Sequence, residues 1–124
     1  MPELEGRRIL VVEDEALIAM LIEDSLREAG AGIVGPAATV TEALGLIRAG
    51  RAKGTLNAAV LDVRLGEDTV LAVANELATL GVPFVFVTAY GEVRLDGHAS
   101  APVLGKPIAS EELIAALVDL LRAT

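Results

Sequence analysis

The sequence predicts one α/β domain built as five repeats of strand then helix, and three observations predict it. Short apolar runs alternate with helical patterns along the chain. The runs are continuous in Val, Leu, Ile and Ala, as parallel strands buried on both faces read. Four of the runs end in a carboxylate, a hydroxyl or an ammonium group. Open parallel sheets gather their sites at the carboxyl ends of the strands, so these polar groups are expected on one rim.

Taken in order, Arg8-Ile9-Leu10-Val11-Val12 runs into Glu13-Asp14. A helix follows from Glu15 to Ala29, with Leu17, Ile18, Leu21, the small Ser25 and Ala29 at helical spacing. Gly30 stops it. Gly32-Ile33-Val34-Gly35 is a short second strand. Thr39 with Glu42 three residues later reads as a capping box opening the second helix, which ends near Gly50 before a polar loop over 51–57. Ala58-Ala59-Val60-Leu61 is the third strand and ends at Asp62. Gly66-Glu67-Asp68 leads into a third helix with Val70, Val73, Ala74 and Leu77 on one face, terminated by Gly81 and Pro83. Phe84-Val85-Phe86-Val87 runs into Thr88. Tyr90 to Ala101 holds two glycines and only Val93 and Leu95 as sizeable apolar residues, so the fourth helix is expected to be short or irregular. Pro102-Val103-Leu104-Gly105 runs into Lys106-Pro107. Ser110 caps the last helix, Glu111 and Glu112 suit its dipole, and Leu113, Leu117, Leu120 and Leu121 form its stripe.

The composition excludes several function classes. A chain of 124 residues is read as a single domain over 1–124, with no output domain. Apolar residues make up 53% but aromatics only 2%, which predicts an aliphatic core. The net charge of −8 argues against nucleic acid and against anionic membrane surfaces. There is no cysteine, hence no disulfide framework and no thiolate metal site. The acidic N-terminus lacks the apolar core of a signal peptide, and the run Ala16 to Ile22 is too short to span a bilayer. A cytoplasmic protein is the expectation.

The rim residues suggest a chemistry. Mg2+ wants oxygen ligands and keeps several waters, and Glu13, Asp14 and Asp62 offer carboxylates. Without a metal these groups repel one another, so at least one should hold its proton more tightly. With a metal the charge logic inverts. An aspartate can then attack phosphorus and form an aspartyl phosphate. Lys106 and Thr88 are placed to stabilise phosphoryl oxygens. A lone Asp after an apolar run is usually a cap or turn residue, and a Lys before Pro is usually a solvated charge. Four such groups ending four different strands favour the functional reading.

On these residues the chain resembles the receiver domain of bacterial two-component response regulators. The anchors are Val11-Val12-Glu13-Asp14-Glu15, Leu61-Asp62, Val87-Thr88-Ala89 and Lys106-Pro107, and the match covers nearly the whole chain. The resemblance implies a (βα)5 flavodoxin-like fold with strand order 2-1-3-4-5, an order for which the general rule itself cites a chemotaxis receiver. It implies phosphotransfer to Asp62 from a histidine kinase or histidine phosphotransfer protein. It implies Mg2+ held by Glu13, Asp14, Asp62 and the backbone carbonyl of Arg64, and a Lys106–Pro107 bond that is often cis. It makes the protein a signalling domain rather than an enzyme, a monomer or weak homodimer whose output runs through a downstream protein partner or ends as a phosphoryl sink. The chain departs from the pattern in the short stretch from Asp62 to Thr88, in its reduced fourth-helix region, and in Val103, where many receivers place a switching aromatic. Pro83 to Gly91 resembles the subgroup marked by a Phe-Ala-Thr-Gly-aromatic run, whose members are often stand-alone receivers in alphaproteobacterial signalling. Thr88 and Tyr90, with the 91–101 segment, are then the expected switch.

Other signals are weaker. Gly30 to Gly35 fits G-x-G-x-x-G but follows a helix and enters a strand, the wrong context for dinucleotide binding. His98, the sole histidine, reads as a solvated loop residue. Arg64 either meets the phosphoryl group or points to solvent. Met20 and Ile22 widen the apolar face of the first helix beyond what the sheet needs, as core filling or as a partner surface. Two rivals stand beside the receiver. An aspartyl-nucleophile phosphohydrolase wants an acid two residues beyond the nucleophile, where this chain has Arg64. A silent receiver-like binding module is opposed by intact Asp62, Thr88 and Lys106.

Overall fold

The computed structural model describes residues 2–53, 56–89, 97–98 and 100–123. Each expected apolar run is a strand. These are β1 (Arg8–Val12), β2 (Gly32–Ala37), β3 (Ala58–Asp62), β6 (Phe84–Thr88) and β7 (Val103–Gly105), and they form one parallel sheet in the order β2-β1-β3-β6-β7. Counting only these five, that is 2-1-3-4-5. A small antiparallel pair, β4 (Arg64–Leu65) and β5 (Asp68–Thr69), stands apart from it. The helices are α1 (Ala16–Glu28), α2 (Val40–Lys53), α3 (Leu71–Thr79) and α4 (Ser110–Ala123). The expected short helix falls on 90–101, where residues 90–96 and 99, Tyr90 included, lie outside the described residues.

Period-two alternation splits the core into two layers. Leu10, Val12, Ala59, Leu61, Phe84 and Phe86 face α2 and α3. Ile9, Val11, Ala58, Val60, Val85 and Val87 face α1 and α4. Both faces are covered, which is why the central strands carry no polar alternation. Each fully buried Leu, Val or Phe contributes roughly 1.5–3 kcal/mol relative to exposure. The core is aliphatic on the α1/α4 side. On the other side Phe84 and Phe86 meet edge to face with centroids 5.2 Å apart.

Local departures from expectation have physical causes. Helix α1 buries Ala19, Ile22 and Leu26, followed by Ala29, while Leu17 and Leu21 are exposed. The expected stripe was turned by about a quarter, because residues 16–22 are apolar at every position and periodicity cannot choose a face. Ile22 is therefore core, not surplus. Strand β2 runs two residues further than expected, through a cis Gly35–Pro36 bond and an irregular register opposite Leu10 to Val12. Proline is tolerated there because β2 is an edge strand. Gly35 has φ +103°, and a Cβ on it would stand 2.9 Å from the Val11 carbonyl oxygen, so only glycine fits. The Thr39 hydroxyl accepts from the Glu42 N–H at 3.1 Å, as the capping box requires. Helix α2 passes Gly50 and ends at Lys53. Ser110 is the first helical residue rather than the cap. The Leu113 N–H donates to the Ala109 carbonyl, and the Ser110 hydroxyl meets that of Ser25 at 2.6 Å. On α4 the buried residues are Leu113, Ile114 and Leu117, with Leu120 and Leu121 half-buried.

His98 is not a solvated loop residue. Its Nε2 lies 2.7 Å from Asn75 Oδ1 on α3, and its ring packs edge-on against Phe84 at 5.3 Å.

Candidate functional site

Sheet register brings the polar strand ends together. Val12 pairs with Leu61, so Glu13 and Asp62 leave the sheet side by side. Asp62 pairs with Val87 and Thr88 with Gly105. The Lys106 N–H donates to the Thr88 carbonyl at 2.9 Å, and the Glu13 N–H to the Ala37 carbonyl at 2.9 Å. The Lys106–Pro107 bond is cis. A polar cavity of about 240 Å³ opens here, lined by Asp14, Asp62, Arg64, Gly66, Thr88 and Lys106 among others.

The Lys106 ammonium stands between two carboxylates. It is 2.9 Å from Glu13 Oε1 and 3.3 Å from Asp62 Oδ2. Glu13, Asp62 and Thr88 are buried, whereas Asp14 is exposed at the rim. One carboxylate oxygen from each of Glu13, Asp14 and Asp62 lies within 4.8 Å of the others. The second Glu13 oxygen, Oε2, accepts from the Glu15 N–H at 3.1 Å. Glu13 Oε1 is shielded from solvent and has the Lys106 charge close by, but no aligned hydrogen bond. A buried carboxylate oxygen with spare acceptor capacity facing two further carboxylates is a fit for a hard divalent cation.

The electrostatics follow. Burial pushes the Glu13 carboxyl up to about 7, and the neighbouring Asp62 carboxylate adds to the rise. An expected proton-retaining acid is therefore present, though desolvation rather than mutual repulsion is the larger cause. Burial alone would lower Lys106, but its ion pair with Glu13 and the charge of Asp62 hold it above the usual lysine value.

The hairpin β4–β5 supplies two backbone donors that sequence reasoning missed. The Arg64 N–H reaches Asp62 Oδ1 at 3.4 Å, and the Gly66 N–H reaches Asp14 Oδ2 at 3.0 Å. The Arg64 side chain is exposed. Its signal was Gly66-Glu67 between Leu65 and Asp68, a two-residue hairpin turn with glycine first. Beside the polar cavity an apolar groove of about 500 Å³ runs between α1 and α4, past Pro107. Its walls include Ile18, Leu21, Ile22, Ile108 and Leu113.

Residues 9–118 match the model of the response regulator receiver domain. The chain is 37% identical over 103 residues to the phyllosphere-induced regulator PhyR of Methylorubrum extorquens, covering 80% of this chain and 38% of that protein. It is 34% identical over 117 residues to the transcriptional regulatory protein PdtaR of Mycobacterium tuberculosis, covering 90% of this chain and 55% of that one. The chain thus spans between a third and just over half the length of these curated relatives. The solution structure of SdrG from Sphingomonas melonis Fr1 superimposes with a TM-score of 0.79 at 39% identity, covering 98% of this chain and 99% of that one. With the family model covering most of the chain, the protein belongs to the response regulator receiver domain family.

Proposed function

We infer that this domain accepts a phosphoryl group on Asp62 from a phosphohistidine of a histidine kinase or phosphotransfer protein, with Mg2+ bound by Glu13, Asp14, Asp62 and the Arg64 carbonyl. The observation that carries the reading is the Lys106 ammonium shared between Glu13 and Asp62 beside a buried Glu13 oxygen that still has acceptor capacity. Asp62 attacks phosphorus as a carboxylate, so no general base is needed; the P–N bond breaks and its electron pair leaves with the imidazole. Lys106, whose raised pKa keeps it charged, takes up phosphoryl oxygen charge. Thr88, at the end of β6, donates its hydroxyl to another phosphoryl oxygen. Mg2+ bound to the three carboxylates would offset their charge and that of the incoming phosphoryl group.

The phosphodonor docks on the apolar groove. Leu17, Met20 and Leu21 of α1 are 65%, 49% and 58% exposed, and Leu21 lines the groove, which reaches Lys106 and Pro107. A helix carrying the donor histidine would cover these side chains and bring its imidazole to the cavity. Over 1–124 the chain acts as one receiver unit, cytoplasmic, whose output is a changed affinity for a downstream protein; among the described residues no helix is long and apolar enough to cross a membrane. Relatives of the PhyR type make a regulatory protein partner the favoured target. Phosphorylation has this effect only by binding one of two conformations better, and Thr88 with the segment after it, Tyr90 included, is the proposed switch. Hydrogen exchange with Mg2+ and beryllofluoride tests this. Altered protection is expected from 88 to 101. A response at Asp62 with no change over 88–101 removes the switch, and no response anywhere removes the phosphoacceptor.

A further inference from the structure

We propose that the β4–β5 hairpin is a positioning arm for the metal site, and that the Gly66 amide fixes Asp14 in its binding orientation. This rests on the Mg2+ reading above. Of the three carboxylates, Glu13 and Asp62 are immobilised by burial and by Lys106. Asp14 is exposed and has no such packing. The Gly66 N–H holds its Oδ2 at 3.0 Å, which stops rotation and leaves Oδ1 unclaimed by that bond. A ligand ordered in advance loses less entropy on binding.

The hairpin is built to hold that amide still. At its base the Val63 N–H donates to the Val87 carbonyl of β6 at 3.1 Å, and the Val70 N–H donates to the Val63 carbonyl at 2.9 Å. Val63, Leu65 and Val70 are buried in the α2/α3 layer. Leu65 then pairs with Asp68 across a two-residue turn. Gly66 takes φ +63° while among the described residues, Glu67 included, no residue other than glycine has a positive φ, which is the pattern of a type II′ turn. Nothing lies within 4 Å of a Cβ added at Gly66, so the demand for glycine is one of backbone conformation, not of space. That conformation is what aims the N–H at Asp14.

The test is calorimetric titration of Mg2+ into the wild type, Gly66→Pro and Gly66→Asn. Gly66→Pro has no N–H and cannot adopt this φ; its Mg2+ affinity is expected to fall about tenfold, the low end for partners that orient metal ligands. Gly66→Asn keeps the donor and is among the residues that primed turns accept, so its affinity is expected to stay above that of Gly66→Pro. Where Gly66→Pro does not fold, Gly66→Val replaces it, retaining the N–H but disfavouring the turn, and the same direction is expected. In metal-free protein the Gly66 amide proton resonance is expected to move upfield in Asp14→Asn. Wild-type affinity in Gly66→Pro or Gly66→Val overturns the proposal, and tighter binding also overturns it, because the amide would then compete with the metal. A wild type that takes up no Mg2+ overturns the metal reading itself, and the arm with it.

Discussion

The two faces of the sheet are covered to different degrees. On the α2/α3 face, Phe84, Phe86 and the helices close over the strands, and His98 seals the edge through Asn75. On the α1/α4 face the layer beneath is just as buried, yet α1 leaves Leu17, Met20 and Leu21 in solvent, and an open groove runs past Leu21. The same strands supply both layers, so the difference does not come from the sheet. It comes from the helices: the first half of α1, Ala16 to Ile22, is apolar all round, and only one side of it reaches the strands. One face is thus committed to holding the fold. The other keeps apolar surface beside Lys106, where the proposed donor would approach.

The comparison breaks most easily at the closed face. Phe86→Ala is expected to cost about 3–5 kcal/mol, as large-to-small core changes of aromatic residues do. Urea denaturation measures it, and a cost near that of a surface change would show that the face is not tightly packed. A smaller effect is expected at the rim that both faces share. In metal-free protein the folded Glu13 pKa of about 7 stands above its ordinary value of 4.5. The native state therefore binds a proton that the unfolded state releases. Stability from this group is complete below about 4.5 and declines as pH rises through about 7. The urea midpoint in EDTA should fall from pH 5.5 to 8, Glu13→Gln should flatten that slope, and Mg2+ should offset it by favouring ionised carboxylates. A Glu13→Gln profile identical to that of the wild type would contradict this.

The smallest stability effect belongs to the open face. Leu21→Ser is expected to change stability by no more than about 0.5 kcal/mol, as for other exposed sites. It should nonetheless slow phosphotransfer from a protein donor about tenfold, as loss of an interface anchor does, while leaving reaction with acetyl phosphate unchanged. Equal slowing with both donors would place Leu21 in the fold or the chemistry instead of the docking surface.

How much of this was legible in the sequence depends on the range of each signal. Strand ends were legible because a buried parallel strand is a local apolar run and the rim residue follows it directly: Leu61-Asp62, Val87-Thr88, Gly105-Lys106. The face of α1 was not, because an unbroken apolar stretch carries no phase. Gly50 misled because glycine weakens a helix without having to end it. The hairpin after Asp62 was too short to stand out, although its Gly-Glu turn was on view. The site of His98 depends on Asn75 and Phe84, partners that no local pattern names. The three rim carboxylates lie near one another as their strand ends imply, but the burial that distinguishes Glu13 from Asp14 is a property of the packed molecule alone.

The claim on which the rest turns is that Asp62 takes the phosphoryl group. Intact mass spectrometry after incubation with acetyl phosphate and Mg2+ tests it. The account predicts a gain of one phosphoryl mass that is absent in EDTA and absent in Asp62→Asn. A folded wild type that gains nothing, or an Asp62→Asn variant that gains as much as the wild type, would contradict it.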